Sequence, residues 1–526
     1  MNTANNNNTD MSSTNLETET ERVISALSTI YSISSSSITT TNRDAANQYL
    51  TQYQRSPLAW QISDRLLSPN STTTATSDVM VQTQIYFFAA QTIHTKCRSD
   101  MVQLPPSSWN DLRDSLLNHL IRFCNSSASG GTVVGNVHIG GSYLKPITSR
   151  LAMALCALSV QMQWYDVVNQ LILGIQNTGE NSSSAGGGRY TIPEKQDQLG
   201  LILEMAQLLP EEAASYRLLI RDRNVRQGFI QMLVEHSEKV FDFYHAIVLR
   251  QLQPQNNGPD GAAGNASSST SSFAKSLKVK EQVLKCIHAW VRYIHIPPKL
   301  LQDTPLLDWV FSILHSYDVN QTNDDNGGEM FELAVDVVIE ILRCYPSDSQ
   351  YNVGLVHKMI PLVMTLAQTN DNATSHTTPG AKSPFQKALE NEDEDGMRAY
   401  CRIFTEMGES YMSLIMHHED LNQVALVELV LNCSALPDHG TFVIVSEMKK
   451  VFFVFYLVNE YVCSMLLHTA VDMFYDFALI ILHYNYCLTY HIYLNFFVMN
   501  TKIRNRHHYT TLLVPIRIMA RGCRTL

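Results

Sequence analysis

The sequence predicts an all-α protein built as a solenoid of stacked helix pairs. Three observations lead there. Apolar residues recur at helical spacing in block after block, strand-type alternation is largely absent, and the blocks come in pairs joined by short breaks. In 46–66, ANQYLTQYQ is followed by Ser56-Pro57 and then LAWQISDRLL, with Pro57 suited to a first helical turn where its missing N–H is not needed. In 151–160, LAMALCALSV is apolar nearly all round, as in a helix covered by neighbours. In 198–235, LGLILEMAQLLP, EEAASYRLLI and GFIQMLVEH read as helices, with Pro210 between the first two.

Further on, Val283, Leu284, Ile287, Trp290, Val291 and Ile294 fall on one helical face, which ends before Pro297-Pro298; a partner helix follows over 305–316. FELAVDVVIEIL (331–342) is rich in β-branched residues, yet it is long for a strand and contains no turn, so it is assigned to a helix. Met397, Tyr400, Ile403, Phe404, Met407, Tyr411, Leu414 and Ile415 repeat the helical rule. Paired helices every few tens of residues without a tight consensus point to HEAT-type repeats wound into a right-handed superhelix.

Between the blocks lie segments dominated by Asn, Ser, Thr, Gly or Asp: about 1–20, 67–78, 125–146, 177–190, 254–273, 318–328, 369–384 and 390–396. Such compositions bury too little surface to offset their ordering entropy, and mobile loops are expected there. The N-terminus, MNTANNNNTDMSSTN, lacks a cationic stretch followed by an apolar run, so no secretory signal is expected. The sequons at Asn70, Asn125, Asn181, Asn265 and Asn372 then read as products of Asn/Ser/Thr-rich composition.

The chain has 526 residues, 45% of them apolar, enough for a long array. Its net charge of −11 argues against nucleic acid held by a basic field. Ten Cys without a C-x-x-C pair argue against a disulfide scaffold or zinc ribbon. The Gly-rich stretches 129–142 and 185–188 lack phosphate-loop spacing. His417-His418 and His507-His508 are neighbours that diverge on a helix, so no metal site is assigned. Glu390, Glu392, Asp393, Glu394 and Asp395 read as a solvated run, and Trp60, Trp164, Trp290 and Trp309 as core. No catalytic arrangement and no cofactor site emerges. An extended binding surface is favoured over an enzyme.

Particular strings then carry a resemblance. ANQYLTQYQRSPLAWQISDRLL, QIYFFAAQTIHTKC and LPPSSWNDLRDSLLNHL, with Ala89-Ala90-Gln91-Thr92 and Leu112–Leu117 the most specific parts, resemble the N-terminal repeats of the importin-β (karyopherin-β) family, nearest its transportin branch. LEMAQLLPEEA (203–213), AYCRIFTEMGESYM (399–412) and VELVLNCSALPDHG (427–440) continue it in the same order. The resemblance implies a nuclear import receptor with no chemistry of its own. It implies binding of Ran-GTP at the N-terminal repeats, basic Arg-Ser-rich splicing-factor cargo, passage through the pore by contact with FG-repeat proteins, and shuttling between cytoplasm and nucleus. Direct nucleic-acid and membrane contacts are not implied. The rival reading is a HEAT-repeat scaffold without Ran regulation.

The expected organisation is a disordered polar segment 1–20, Ran-binding repeats 21–124, an inserted loop 125–146, further repeats 147–440, and an atypical tail 441–526. Residues 1–440 carry a net charge of −15, suited to fast capture of basic partners. Second helices of the first pairs, taken as 58–67 and 111–123, are expected to line the concave face. Asp64, Arg65, Asn118 and Arg122 are polar positions on these apolar helices and are the candidate Ran contacts.

The tail holds 16 Phe or Tyr in 86 residues and is net basic. Its apolar runs, 451–467 and 477–499, are interrupted by Asn459, Glu460, His483, Asn485, His491 and Asn495, which argues against membrane spans. The likeness is expected to stop after Gly440, with foreign sequence such as translated intron beyond it. An Arg-rich cargo-gripping helix, which the resemblance places further along, would then be missing.

Overall fold

In the computed structural model, the described residues are 7–31, 40–68, 79–128, 132–134, 137–139, 141–174, 196–220, 222–252, 267–317, 325–367, 382–417 and 429. The chain divides into two compact units, 1–445 and 446–526, and the description concerns the first. Its helices, in order, are α1 (Asn7–Tyr31), α2 (Thr40–Arg55), α3 (Leu58–Leu67), α4 (Val79–Ser99), α5 (Trp109–Ala128), α6 (Gly141–Gln161), α7 (Val167–Gly174) and α8 (Gln196–Ala214). They continue as α9 (Arg223–Leu252), α10 (Ser267–Ile294), α11 (Pro298–Asp303), α12 (Pro305–Ser316), α13 (Asp325–Cys344), α14 (Val353–Ala367), α15 (Pro384–Glu390) and α16 (Glu394–His417). The fold is all-α, of HEAT-repeat type.

Two layers organise the unit. In one, α4, α6, α8, α10, α13 and α16 lie side by side, each packed extensively on the next. In the other, α3, α5, α7, α9, α12 and α14 each cover a member of the first layer and meet one another only sparsely. The first layer can pack closely because its faces are small or branched and apolar. On α4, Ala89, Ala90 and Ile93 are fully buried, and on α6 so are Leu151, Ala152, Ala154, Leu155, Ala157 and Leu158. The six periodic positions from Val283 to Ile294 are all buried, as are Tyr400, Ile403, Phe404, Met407 and Tyr411 on α16. Burial on both sides of each helix is what makes LAMALCALSV apolar all round.

The local stops and starts follow ordinary chemistry. Pro57 stands immediately before α3, and Pro298 and Pro305 occupy the first turns of α11 and α12. Thr304 caps α12 by accepting from Leu306 N–H, and Ser383 with Gln386 forms a capping box on α15. Gln163, His295 and Glu392 take left-handed backbone conformations just beyond the ends of α6, α10 and α15, where glycine is the commoner choice.

Several expectations are corrected. Segment 1–20 is not wholly irregular: α1 starts at Asn7 and carries buried Thr20, Val23 and Leu27. Likewise α10 and α13 begin inside the polar spacers 254–273 and 318–328. A helix anchored by packed later turns extends backward cheaply, because propagation lacks the entropic cost of nucleation. Within the expected loop 125–146, the described residues belong to the end of α5, the start of α6 and a small antiparallel hairpin, Thr132–Val134 with Val137–Ile139. In this hairpin Val134 pairs with Val137. The runs 177–190 and 441–526 lie outside the described residues.

Pro210 is a further correction. It lies inside α8 rather than between helices. Proline cannot donate to the carbonyl four residues back, here Ala206. That carbonyl instead accepts the indole N–H of Trp290 on α10 at 2.8 Å. The thiol of Cys286 donates to Leu203 O one turn earlier, at 3.1 Å. A proline that would weaken a lone helix thus creates an attachment point for the next repeat. We predict non-additivity: Trp290→Phe should destabilise the chain by about 1 kcal/mol more with Pro210 present than in a Pro210→Ala background, where the helix N–H can serve Ala206 itself. Urea unfolding of the double-mutant cycle measures the difference.

Candidate protein-binding face

The solvent side of the α4–α6–α8–α10–α13–α16 layer carries a run of polar side chains that cross each helix junction. Arg150 of α6 lies over the ring of Phe87 on α4, 5.9 Å from its centroid. Ser149 donates to Glu204 of α8. Gln282 of α10 donates to Gln207 of α8 at 2.8 Å, and Gln207 to Glu211 at 2.9 Å. Lys285 pairs with Glu329 of α13 at 3.1 Å, Arg402 of α16 with Asp336 at 2.8 Å, and Arg343 of α13 with Glu406 at 2.6 Å. Every junction of the layer therefore shows at least one side-chain bridge.

The carboxylates named on this face outnumber its cations, and burial raises the pKa of three. Burial raises the pKa of Glu204 above the usual carboxylate range, although the Ser149 hydrogen bond and Lys145 oppose the shift. Burial raises Glu281, helped by the charge of Glu329 and opposed by Lys285 and Lys278. Burial also raises Glu332, opposed by Arg402 and helped by Asp336 and Asp395. Glu281 is 7% exposed, and its Oε1 has no hydrogen-bond partner among the described residues. A nearly buried, unsatisfied carboxylate oxygen is rare in a folded protein.

The four candidate Ran contacts lie on the other layer. Helices α3 and α5 are the covering members of their pairs, with α4 and α6 as partners, so the frame that made them second helices is shifted by one helix. Three of the four are occupied internally. Asp64 accepts from Ser115 Oγ and lies 2.9 Å from His119 Nε2. Burial alone would raise the Asp64 pKa; the hydrogen bonds from His119 and Ser115, with the His119 charge, bring it below the ordinary value. Arg122 donates to Leu67 O and lies over Phe123, and Arg65 pairs with Glu17 of α1 at 2.8 Å. Asn118 is exposed. The α3–α5 contacts tie the first repeats together, which the apolar pattern alone could not reveal.

Other singled-out groups have structural roles. Asp393 accepts from Gly396 N at 3.0 Å at the start of α16, Asp395 pairs with Arg398, and Glu390 with Lys382, so the acidic run is a helix junction. Trp60, Trp164, Trp290 and Trp309 are all buried. Arg98 of α4 reaches Glu212 of α8 through two guanidinium nitrogens, one of them at 2.9 Å. His94 Nε2 is 3.6 Å from the same carboxylate, too long for a hydrogen bond, and burial holds its pKa down. The six described cysteines are free; burial raises the thiol pKa of Cys97, Cys156 and Cys286.

The described helices thus form a two-layer solenoid with a largely acidic polar seam along one layer. Comparison with known proteins shows what this solenoid resembles. Residues 144–338 match the family model described as Exportin 1-like protein, and residues 392–483 the one described as Transportin-3/Importin-13 second TPR domain. Importin-13 of Homo sapiens is 24% identical over 405 residues, covering 76% of this chain and 32% of that protein. Transportin MOS14 of Arabidopsis thaliana is 24% identical over 402 residues (76% and 32%), and the mRNA transport regulator MTR10 of Saccharomyces cerevisiae 25% over 415 (78% and 34%). These matches make the chain similar to transport receptors of the importin-β (karyopherin-β) family. It spans about a third of the length of the curated relatives it matches. The second family match runs past Gly440 into the tail, further than the resemblance strings reach.

Asp64→Asn should weaken the α3–α5 junction by about 1 kcal/mol at neutral pH. The depressed Asp64 pKa contributes stability above its unfolded value, and that contribution fades as pH falls through the folded value. The wild-type and variant denaturation midpoints should therefore converge in acid.

Proposed function

We propose that the chain acts in nuclear transport as a karyopherin-type receptor that takes basic, Arg-Ser-rich protein cargo on the acidic face of α8, α10 and α13. The observation that carries this reading is the presence, on three successive helices of this layer, of Glu204, Glu281 and Glu332, each with a pKa raised by burial, and with Glu281 Oε1 unsatisfied among the described residues. Guanidinium groups would supply both the missing charge and the missing donors. The close mutual packing of these helices supports their layer as the inner side of a curved stack, because curvature brings inner helices together. The names of the relatives, importin-13, transportin MOS14 and mRNA transport regulator MTR10, support transport between compartments as the setting.

Release by Ran-GTP and contact with FG-repeat proteins during cytoplasm–nucleus shuttling complete the proposal. Asn118 is the Ran-contact position we retain for mutation, since Asp64, Arg65 and Arg122 already serve internal joints. Asn118→Lys should weaken Ran-GTP binding in a pull-down without changing the melting temperature. Unchanged binding would remove the position from the site.

The charge reading is tested by titrating the full chain with a labelled Arg-Ser repeat peptide. Glu281→Gln with Glu332→Gln should lower affinity about tenfold and flatten its salt dependence. The same pair should slightly raise stability at neutral pH, because raised carboxylate pKa values mean that ionisation opposes folding there, with half-exposed Glu332 contributing least because solvent screens its charge. That gain should shrink as pH falls and the wild-type carboxylates take up protons. Unchanged peptide affinity would refute the charge reading.

A further inference from the structure

A second surface of the first unit has the opposite character. A groove of about 670 Å³ lies between the end of α4 and the connection from α8 to α9. Its apolar lining includes Val102, Tyr216, Leu219 and Ile220, and among the described residues its charged lining groups are Arg223 and Arg226. No carboxylate among the described residues lines it, although residues 1–440 are strongly acidic.

The apolar side chains are held in water by a fixed backbone. Leu219 N–H donates to Arg98 O at 2.8 Å, and Leu219 O accepts from Gln161 Nε2 at 3.0 Å, so the residue is clamped between α4 and α6. Next to it, Leu218 is 1% exposed and its carbonyl accepts from Arg226 at 2.6 Å. With Leu218 inward and the backbone pinned, Leu219 is turned out and is 62% exposed; Tyr216 is 81% and Val102 63% exposed. One exposed apolar residue on a loop is unremarkable. Three around one groove, on an anchored segment, form a preorganised apolar surface that requires little ordering to bind.

The charges choose the occupant. Arg223 stands exposed at the start of α9, with no ion pair among the described residues. Its neighbour Asp222 is engaged at the helix N-terminus, accepting from Asn224 N–H at 2.8 Å. Arg217 lies over the Tyr216 ring at 5.7 Å and adds a third cation beside the groove. The nearby Arg98 is neutralised by Glu212 and Lys96 by Asp100. We infer that this groove docks a short acidic peptide segment with aliphatic or aromatic anchors. The apolar side chains enter over Leu219 and Tyr216, and the carboxylates meet Arg217, Arg223 and Arg226. The acidic face on α8, α10 and α13 and this groove would then select partners of opposite charge.

Fluorescence anisotropy with the full chain tests the inference. The probe is a short labelled peptide in which Leu and Phe alternate with Glu and Asp. Comparison peptides replace the acids by Lys, or space Phe with Gly alone. The acidic peptide should bind at least about tenfold more tightly than either. Leu219→Ser and Arg223→Glu should each weaken it by about tenfold, and Arg223→Glu should reduce its salt dependence. Both positions are exposed, and unchanged melting temperatures would confirm intact folding. Equal binding of the Gly-spaced Phe peptide would overturn the charge selection. Binding that neither variant affects would overturn the site.

Discussion

Everything in this unit depends on one constraint: no helix of the α4–α6–α8–α10–α13–α16 layer can bury its apolar surface against its own partner alone. Each must also cover the helix before it and be covered by the helix after it. The fold is therefore propagated by nearest-neighbour contacts, and its free energy is close to a sum of repeat and interface contributions. The fully buried Ala and Leu positions of α6 show the consequence. Truncating a large side chain such as Leu155 would cost about 2–5 kcal/mol at one interface and leave distant ones untouched.

Apolar contact alone would let such helices slide. Directional ties fix their register: Trp290 to the carbonyl freed by Pro210, Tyr345 to Ile296 O at 2.8 Å, Tyr400 to Leu314 O at 2.8 Å, and the Arg98–Glu212 pair across α4 and α8. These donors are carried by large side chains that also fill the core, so one residue contributes burial and alignment together. On the solvent side, bridges such as Lys285–Glu329 and Arg402–Asp336 are exposed and individually weak. Their value to function is the field they leave uncompensated. The stack is held by its interior, which leaves the polar seam free to be unfavourable by itself and, on the reading we propose, favourable with a basic partner.

Much of this was legible in the residues. The period of Val283–Ile294 and the all-round apolarity of 151–160 state which faces are covered, because helix geometry maps spacing onto faces directly. The grouping of helices into pairs was not legible. A Ser-Pro break joins α2 to α3 as readily as it would join two members of one repeat, and only packing reveals that α3 belongs with α4. Pro210 misled for a similar reason, since the compensating donor, Trp290, lies 80 residues away in the chain. Candidate contacts chosen as polar residues on apolar helices proved to include Asp64 and Arg122, polar because they join repeats. The unsatisfied Glu281 left no trace in the sequence, where it is one Glu among many.

The most direct test of the account is hydrogen exchange on the full chain with and without a saturating Arg-Ser repeat peptide. The structure leads us to expect added protection concentrated in α8, α10 and α13, with α3 and α5 unchanged. Protection confined to α3 and α5, or none in the acidic layer, would contradict the assignment of that layer as the partner-binding face.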